Sequence, residues 1–148
     1  MRSMLLVGFL LSILPVAWAG EPGLMVRLYE FEGDVSAVPE LAPDQIPSDV
    51  IYVEALDLKD KYGTLTERFL AEIDGFVTTP AKGEYTFRLT CDDGGLLWID
   101  GRMVVNHDGA HGPTPKDGTI TLPEGTSPLR IRHFQGTGGA VLKLEWKV

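Results

Sequence analysis

Period-two alternation constrains this chain more than any other feature. From Glu84 to Cys91, the apolar Tyr85, Phe87, Leu89 and Cys91 alternate with Glu84, Thr86, Arg88 and Thr90. Successive side chains of an extended strand point to opposite faces, so such a segment has one buried face and one wet face. The pattern recurs. Phe69, Ala71, Ile73 and Val77 form a second apolar face, with Gly75 as an expected bulge. Leu129, Ile131 and His133 alternate with Arg130, Arg132 and Phe134, and Ala140, Leu142, Leu144 and Trp146 with Val141, Lys143, Glu145 and Lys147. Shorter strands are expected at Leu24 to Phe31, Val50 to Leu58, Leu96 to Ile99, Arg102 to Val105 and Thr119 to Leu122. No helical-period stripe of useful length competes with them.

Turn chemistry separates these runs. Asp100-Gly101 is a two-residue hairpin signal, and Pro123-Glu124-Gly125 is a second turn. Gly33 to Ser48, with Pro39, Pro43 and Pro47, and Asn106 to Gly118 read as long irregular loops. Many short strands at this spacing predict an all-β fold, an antiparallel sandwich or barrel, rather than a parallel α/β sheet.

With 148 residues, 44% of them apolar, the chain suits one domain with a real core. A net charge of −8 argues against nucleic acid and anionic membranes as partners and is compatible with cations and neutral glycans. At the N-terminus, Arg2, the apolar run Leu5 to Leu14 and Ala17-Trp18-Ala19 have the pattern of a cleavable signal peptide. The expected division is residues 1–19 as signal and 20–148 as the domain. The apolar run is shorter than the roughly 20 residues a membrane span needs. A secreted, periplasmic or cell-surface protein is expected, with no membrane insertion after cleavage. The single cysteine, Cys91, has no internal disulfide partner. It shares a face with Tyr85, Phe87 and Leu89, so a buried, inert thiol is expected.

The segment Tyr85 to Gly101 reads Tyr-Thr-Phe-Arg-Leu-Thr-Cys-Asp-Asp-Gly-Gly-Leu-Leu-Trp-Ile-Asp-Gly. This resembles the signature hairpin of the protective-antigen/flocculin (PA-14) family. Gly118 to Gly125, Ile131 to Phe134 and Leu142 to Trp146 resemble the family's later strands in family order. The resemblance spans roughly Gly23 to Val148. It implies a Greek-key-type β-sandwich and a secreted, lectin-like carbohydrate-binding module, with adhesion to a glycan or cell-surface polysaccharide. In the family's sugar-binding members, two adjacent aspartates joined by a cis peptide bind Ca²⁺, and sugar hydroxyls complete the shell. Carried over, these are Asp92 and Asp93. By the same resemblance the loop Gln135-Gly136-Thr137-Gly138-Gly139 is expected to supply further ligands, the Gln135 side chain, Thr137 and backbone carbonyls for the metal and Gly136 beside the sugar. Ca²⁺ takes 6–8 oxygen ligands, so two carboxylates alone do not fill its shell. The sugar-binding members place an Asn in that loop, and none stands between Gln135 and Gly139. The departure supports an alternative: a non-catalytic protein-interaction or structural module with the same fold and no sugar site. Asp and Gly also suit a plain polar turn.

Other groupings carry less. His107 and His111 are four apart, a zinc spacing on a helix, but Gly109, Gly112 and Pro113 make a loop there. Asn106, beside them, is a candidate ligand-binding residue at the edge of the site. No nucleophile elbow, P-loop or EF-hand spacing occurs, so no enzymatic activity is expected. Tyr85, Trp98, Phe134 and Trp146 are expected mainly in the core.

Overall fold

A computed structural model describes residues 23–59 and 62–148. The expected signal segment, residues 1–19, lies outside the described residues. The chain is all-β, with strands β1 (Leu24–Glu30), β2 (Asp49–Val53), β3 (Asp57–Lys59), β4 (Phe69–Thr79), β5 (Gly83–Asp92), β6 (Gly95–Ile99), β7 (Arg102–His107), β8 (Thr114–Leu122), β9 (Gly125–Gln135) and β10 (Val141–Lys147). They form two antiparallel sheets, one ordered β2-β1-β4-β9-β6-β7 and the other β3-β10-β5-β8. The expected β-sandwich is the observed one.

The alternation read from sequence sets what the sheets bury. Tyr85, Phe87, Leu89 and Cys91 of β5 face Phe69, Ala71, Ile73 and Val77 of β4 across one core, with Leu97, Ile99, Ile131 and Leu142. At about 25 cal/mol per Å² of apolar surface removed from water, this shared core is the main stabilising contribution. A second, smaller cluster lies on the other side of the six-stranded sheet. There Leu70, Tyr29 and Phe134 are covered by Val35, Val38 and Leu41 of the Pro-rich loop. That loop therefore has an apolar underside, which the reading of it as irregular did not anticipate.

Several expectations need correction. Val50 to Leu58 is not one strand. It breaks at Glu54 to Leu56, and its two halves pair in opposite sheets, β2 with β1 and β3 with β10. Leu56 is buried at the crossing, and its carbonyl accepts the Leu144 N–H at 3.0 Å. Gly75 is not a bulge, because β4 and β9 pair in unbroken register from Phe69 to Thr79. A Cβ there would stand 2.2 Å from Leu24 Cδ2, so the glycine instead makes room for Leu24. The Asn106 to Gly118 loop is shorter than expected, since β7 runs to His107 and β8 begins at Thr114. Pro115 is tolerated because β8 is an edge strand, where a ladder N–H can be dispensed with. Asp100 and Gly101 both have positive φ, 52° and 70°, as a tight hairpin between twisted strands requires.

Tyr85 and Phe134 are buried as expected, whereas Trp98 is only half-buried. Trp146 is 43% exposed, although its ring still packs on Tyr85 at 5.4 Å. It stands one residue from the end of β10, beyond Lys143, where β3 stops pairing and leaves β10 as a sheet edge.

Candidate functional site

The expected Asp-Asp-Gly hairpin is not a hairpin. β5 belongs to the four-stranded sheet and β6 to the six-stranded one, so Asp92 to Gly95 carries the chain across one end of the sandwich. The Asp92–Asp93 peptide is cis. Gly94 is needed for a spatial reason. A Cβ on it would stand 2.7 Å from the Gly109 backbone nitrogen and 2.7 Å from Phe134 Cε1. The crossing is thus wedged between the β7–β8 loop and the β9 strand end.

Asp93 ties the two loops together. Its Oδ1 accepts the His111 N–H at 3.1 Å, and its Oδ2 accepts the Gly136 N–H at 2.9 Å. The β9–β10 loop is anchored from its other side as well. Arg68 N–H donates to the Gly136 carbonyl at 2.8 Å, and Gly138 N–H to Glu67 Oε1 at 3.3 Å. Asp92 is held differently. Its carbonyl accepts His133 Nε2–H at 2.9 Å, and its carboxylate makes no hydrogen bond among the described residues. Burial, then the Asp93 charge, raises the Asp92 carboxyl above the usual carboxylate range, and His111 opposes the shift.

The remaining expected residues fall as follows. Gln135 is fully buried. Its Nε2 donates to the Thr137 carbonyl at 3.1 Å, and its Oε1 is buried with no partner. Thr137 is exposed. Asn106 is exposed on β7, where its Oδ1 accepts the Asp108 N–H at 3.2 Å and shapes the loop. No described contact joins Asn106 to either aspartate.

These residues fit a hard cation. The Asp92 carboxylate is uncommitted, and each Asp93 oxygen keeps a lone pair beyond its one N–H. Gln135 Oε1 is a buried acceptor, and leaving such an atom unpaired costs about 1–3 kcal/mol. A set made of carboxylate and amide oxygens suits Ca²⁺.

Sequence reasoning missed the support beneath the turn. His133 is fully buried, its ring proton lies on Nε2 toward the Asp92 carbonyl, and Nδ1 accepts the Tyr62 hydroxyl at 3.2 Å. The only signal available was a histidine on an apolar face. Burial lowers the His133 pKa to about 4. The folded value lies below the ordinary 6.5, so His133's contribution to stability is complete above pH 6.5 and is lost as pH falls towards 4. Urea unfolding is therefore expected to show weakening from pH 7 to pH 4.5. The weakening should be smaller in His133→Gln, whose amide keeps a donor but cannot gain a ring proton.

The fold and this site can be set beside known proteins. A family model described as the PA14 domain matches residues 20–148. No curated protein matches the chain significantly. Among solved structures, an anti-sigma factor domain-containing protein superposes with TM-score 0.71 at 21% identity, over 86% of this chain and 43% of that one. The chain thus spans less than half of that protein. A PA14 sugar-binding domain from an RTX adhesin gives TM-score 0.68 at 18% identity, over 86% of this chain and 90% of its own. The Epithelial Adhesin 9 A domain from Candida glabrata, solved in complex with Galβ1-3GlcNAc, gives TM-score 0.63 at 12% identity, over 86% and 82%.

Proposed function

Because the chain belongs to the PA14 domain family, we propose that it is a secreted, non-catalytic carbohydrate-binding module whose glycan site is the calcium-dependent Asp92–Asp93 turn. One observation carries this reading: Asp93 is clamped by backbone N–H groups from both neighbouring loops, while the adjacent Asp92 carboxylate is left without a partner. The clamp pre-positions one carboxylate. The other remains free for a cation, and Gln135 Oε1, on the residue before the Gly136 that Asp93 holds, is a buried oxygen without a partner. Asp92, Asp93, Gln135 and Thr137 would hold Ca²⁺, and the bound ion would accept glycan hydroxyl oxygens into its shell. A Cβ on Gly136 would stand 3.2 Å from Asp93 Oδ2, so the glycine keeps that carboxylate oxygen uncrowded.

Two of the structural relatives are sugar-binding by their descriptions, the RTX adhesin domain and the Candida adhesin domain. The ligand class proposed here is likewise a glycan or cell-surface polysaccharide, in an adhesive role. Phe134, the aromatic residue next to the Gln135 loop, is buried under the Pro-rich loop and offers no face for stacking. Stacking therefore contributes little, and single-site affinity is expected to be weak, with useful retention coming from multivalent display.

The test is a glycan array probed with the full chain displayed multivalently, in calcium and in chelator. Retention on at least one glycan is expected in calcium. It should vanish in chelator and in Asp92→Asn/Asp93→Asn. Binding indifferent to chelator, or no binding by folded protein, would overturn the reading.

A further inference from the structure

A second group of ligands, of different chemistry, gathers beside the oxygen site. Cys91 comes from β5, His107 from the end of β7 and His111 from the loop between β7 and β8. One ligand atom from each lies within 4.8 Å of the others. We propose that Cys91, His107 and His111 form a binding site for a borderline-soft divalent cation of the Zn²⁺ type, separate from the Asp92–Asp93 oxygen site.

The donor set decides the class of ion. One sulfur and two imidazole nitrogens match Zn²⁺ and are poor ligands for Ca²⁺, which takes oxygen. Three protein ligands leave a fourth position of a tetrahedron. The two histidines are only half-buried, so water reaches that position from the loop side. As the metal–sulfur bond forms, the thiol proton leaves to solvent.

The His107 ring is oriented as a metal ligand's would be. His107 Nε2 faces the Thr114 carbonyl at 3.0 Å. A carbonyl only accepts, so the ring proton is on Nε2 and the Nδ1 lone pair is uncommitted. Metal-bound histidines are oriented in this way by a partner on the far nitrogen. His111 faces two carbonyls, Gly112 through Nδ1 at 2.9 Å and His107 through Nε2 at 3.1 Å. A neutral imidazole has one N–H and satisfies one of them, and a cation on the other nitrogen would displace that carbonyl contact by a shift of the loop. The two rings stack at 4.1 Å. Loop contacts hold them there. His111 N–H is bound to Asp93, and Asp108 Oδ1 accepts both Gly109 N–H and Val38 N–H. The helix-based zinc reading of His107 and His111 required a helix that is absent. The β7–β8 loop brings the pair together by another route and adds Cys91, which the sequence places sixteen residues before His107.

The experiment titrates the full, chelator-stripped chain with Co²⁺ as a spectroscopic probe and then with Zn²⁺. One equivalent of cobalt should bind with a thiolate-to-cobalt charge-transfer band, which zinc then bleaches. Cys91→Ser should abolish that band. His107→Ala and His111→Ala should each weaken binding at least about tenfold, as even supporting partners of metal ligands do. Asp92→Asn, at a carboxylate that makes no hydrogen bond to the histidine loop, should keep the band. Near-UV circular dichroism of the metal-free variants establishes folding, and the two half-buried histidine variants keep the test readable should the core variant not fold. The proposal is overturned by cobalt binding without a thiolate band, by folded histidine variants that titrate like the unsubstituted chain, or by loss of the band in Asp92→Asn.

Discussion

In calcium at a hundredfold excess over Kd, the full chain is expected to be about 2.7 kcal/mol more stable than in chelator. For a domain of this size, that corresponds to a rise in Tm of roughly 10 °C. The physical source is the Asp92–Asp93 pair. Burial and the neighbouring charge disfavour the Asp92 carboxylate, and a cation between the two groups converts repulsion into attraction. The Asp92→Asn/Asp93→Asn variant is expected to show no calcium response. Its baseline in chelator should move less and is not the diagnostic. An Asn at position 93 accepts only one of the two N–H groups that Asp93 now accepts, from His111 and Gly136. That costs about 1 kcal/mol, partly offset by the relieved repulsion. Differential scanning calorimetry of both proteins, each with calcium and with chelator, reads the result. Equal calcium shifts in the two proteins would place the stabilising ion elsewhere.

Phe87→Ala is expected to cost about 3–5 kcal/mol, the usual range for removing a fully buried phenylalanine. Phe87 is fully buried in β5, near the middle of the four-stranded sheet. Its cross-strand neighbours are Gly118 on β8 and Trp146 on β10. Gly118 has no side chain with which to fill the gap, and it cannot be enlarged. A Cβ there would lie 1.9 Å from the Val104 carbonyl oxygen, where β7 of the other sheet presses against β8. The cavity therefore collapses little, which favours the upper part of the range. Urea unfolding at unchanged m-value measures the loss. Trp146→Ala, at the exposed end of β10, should cost clearly less. A loss below about 1 kcal/mol for Phe87→Ala would mean that this face of β5 is not core.

Much of the fold was legible because burial is written locally. The alternation in β5 and β9 identified the inward residues, and the Asp100-Gly101 turn placed the β6–β7 hairpin. The division of Val50 to Leu58 between two sheets was not legible, because both halves carry strand-forming residues and only their partners differ. The site divides in the same way. The pattern around Asp92 and Asp93 marked the turn, and the loop at Gln135 was named beside it. That the turn crosses between sheets depends on whether β6 pairs with β9 or with β5, a choice made by contacts far along the chain.

The support and the second ligand group lie at the far end of this scale. His133 meets Asp92 from 41 positions away and Tyr62 from 71. Cys91 joins His107 and His111 only because β5, β7 and the β7–β8 loop converge at one end of the sandwich. From sequence, Cys91 was one apolar residue in an alternating run and the histidines were loop residues. What the sequence determined by itself was which face each side chain of a strand turns inward, because that follows from the two-residue period of the extended backbone. What only the tertiary structure decided was which faces meet, because strand pairing and loop closure join residues whose separation along the chain leaves no periodic trace.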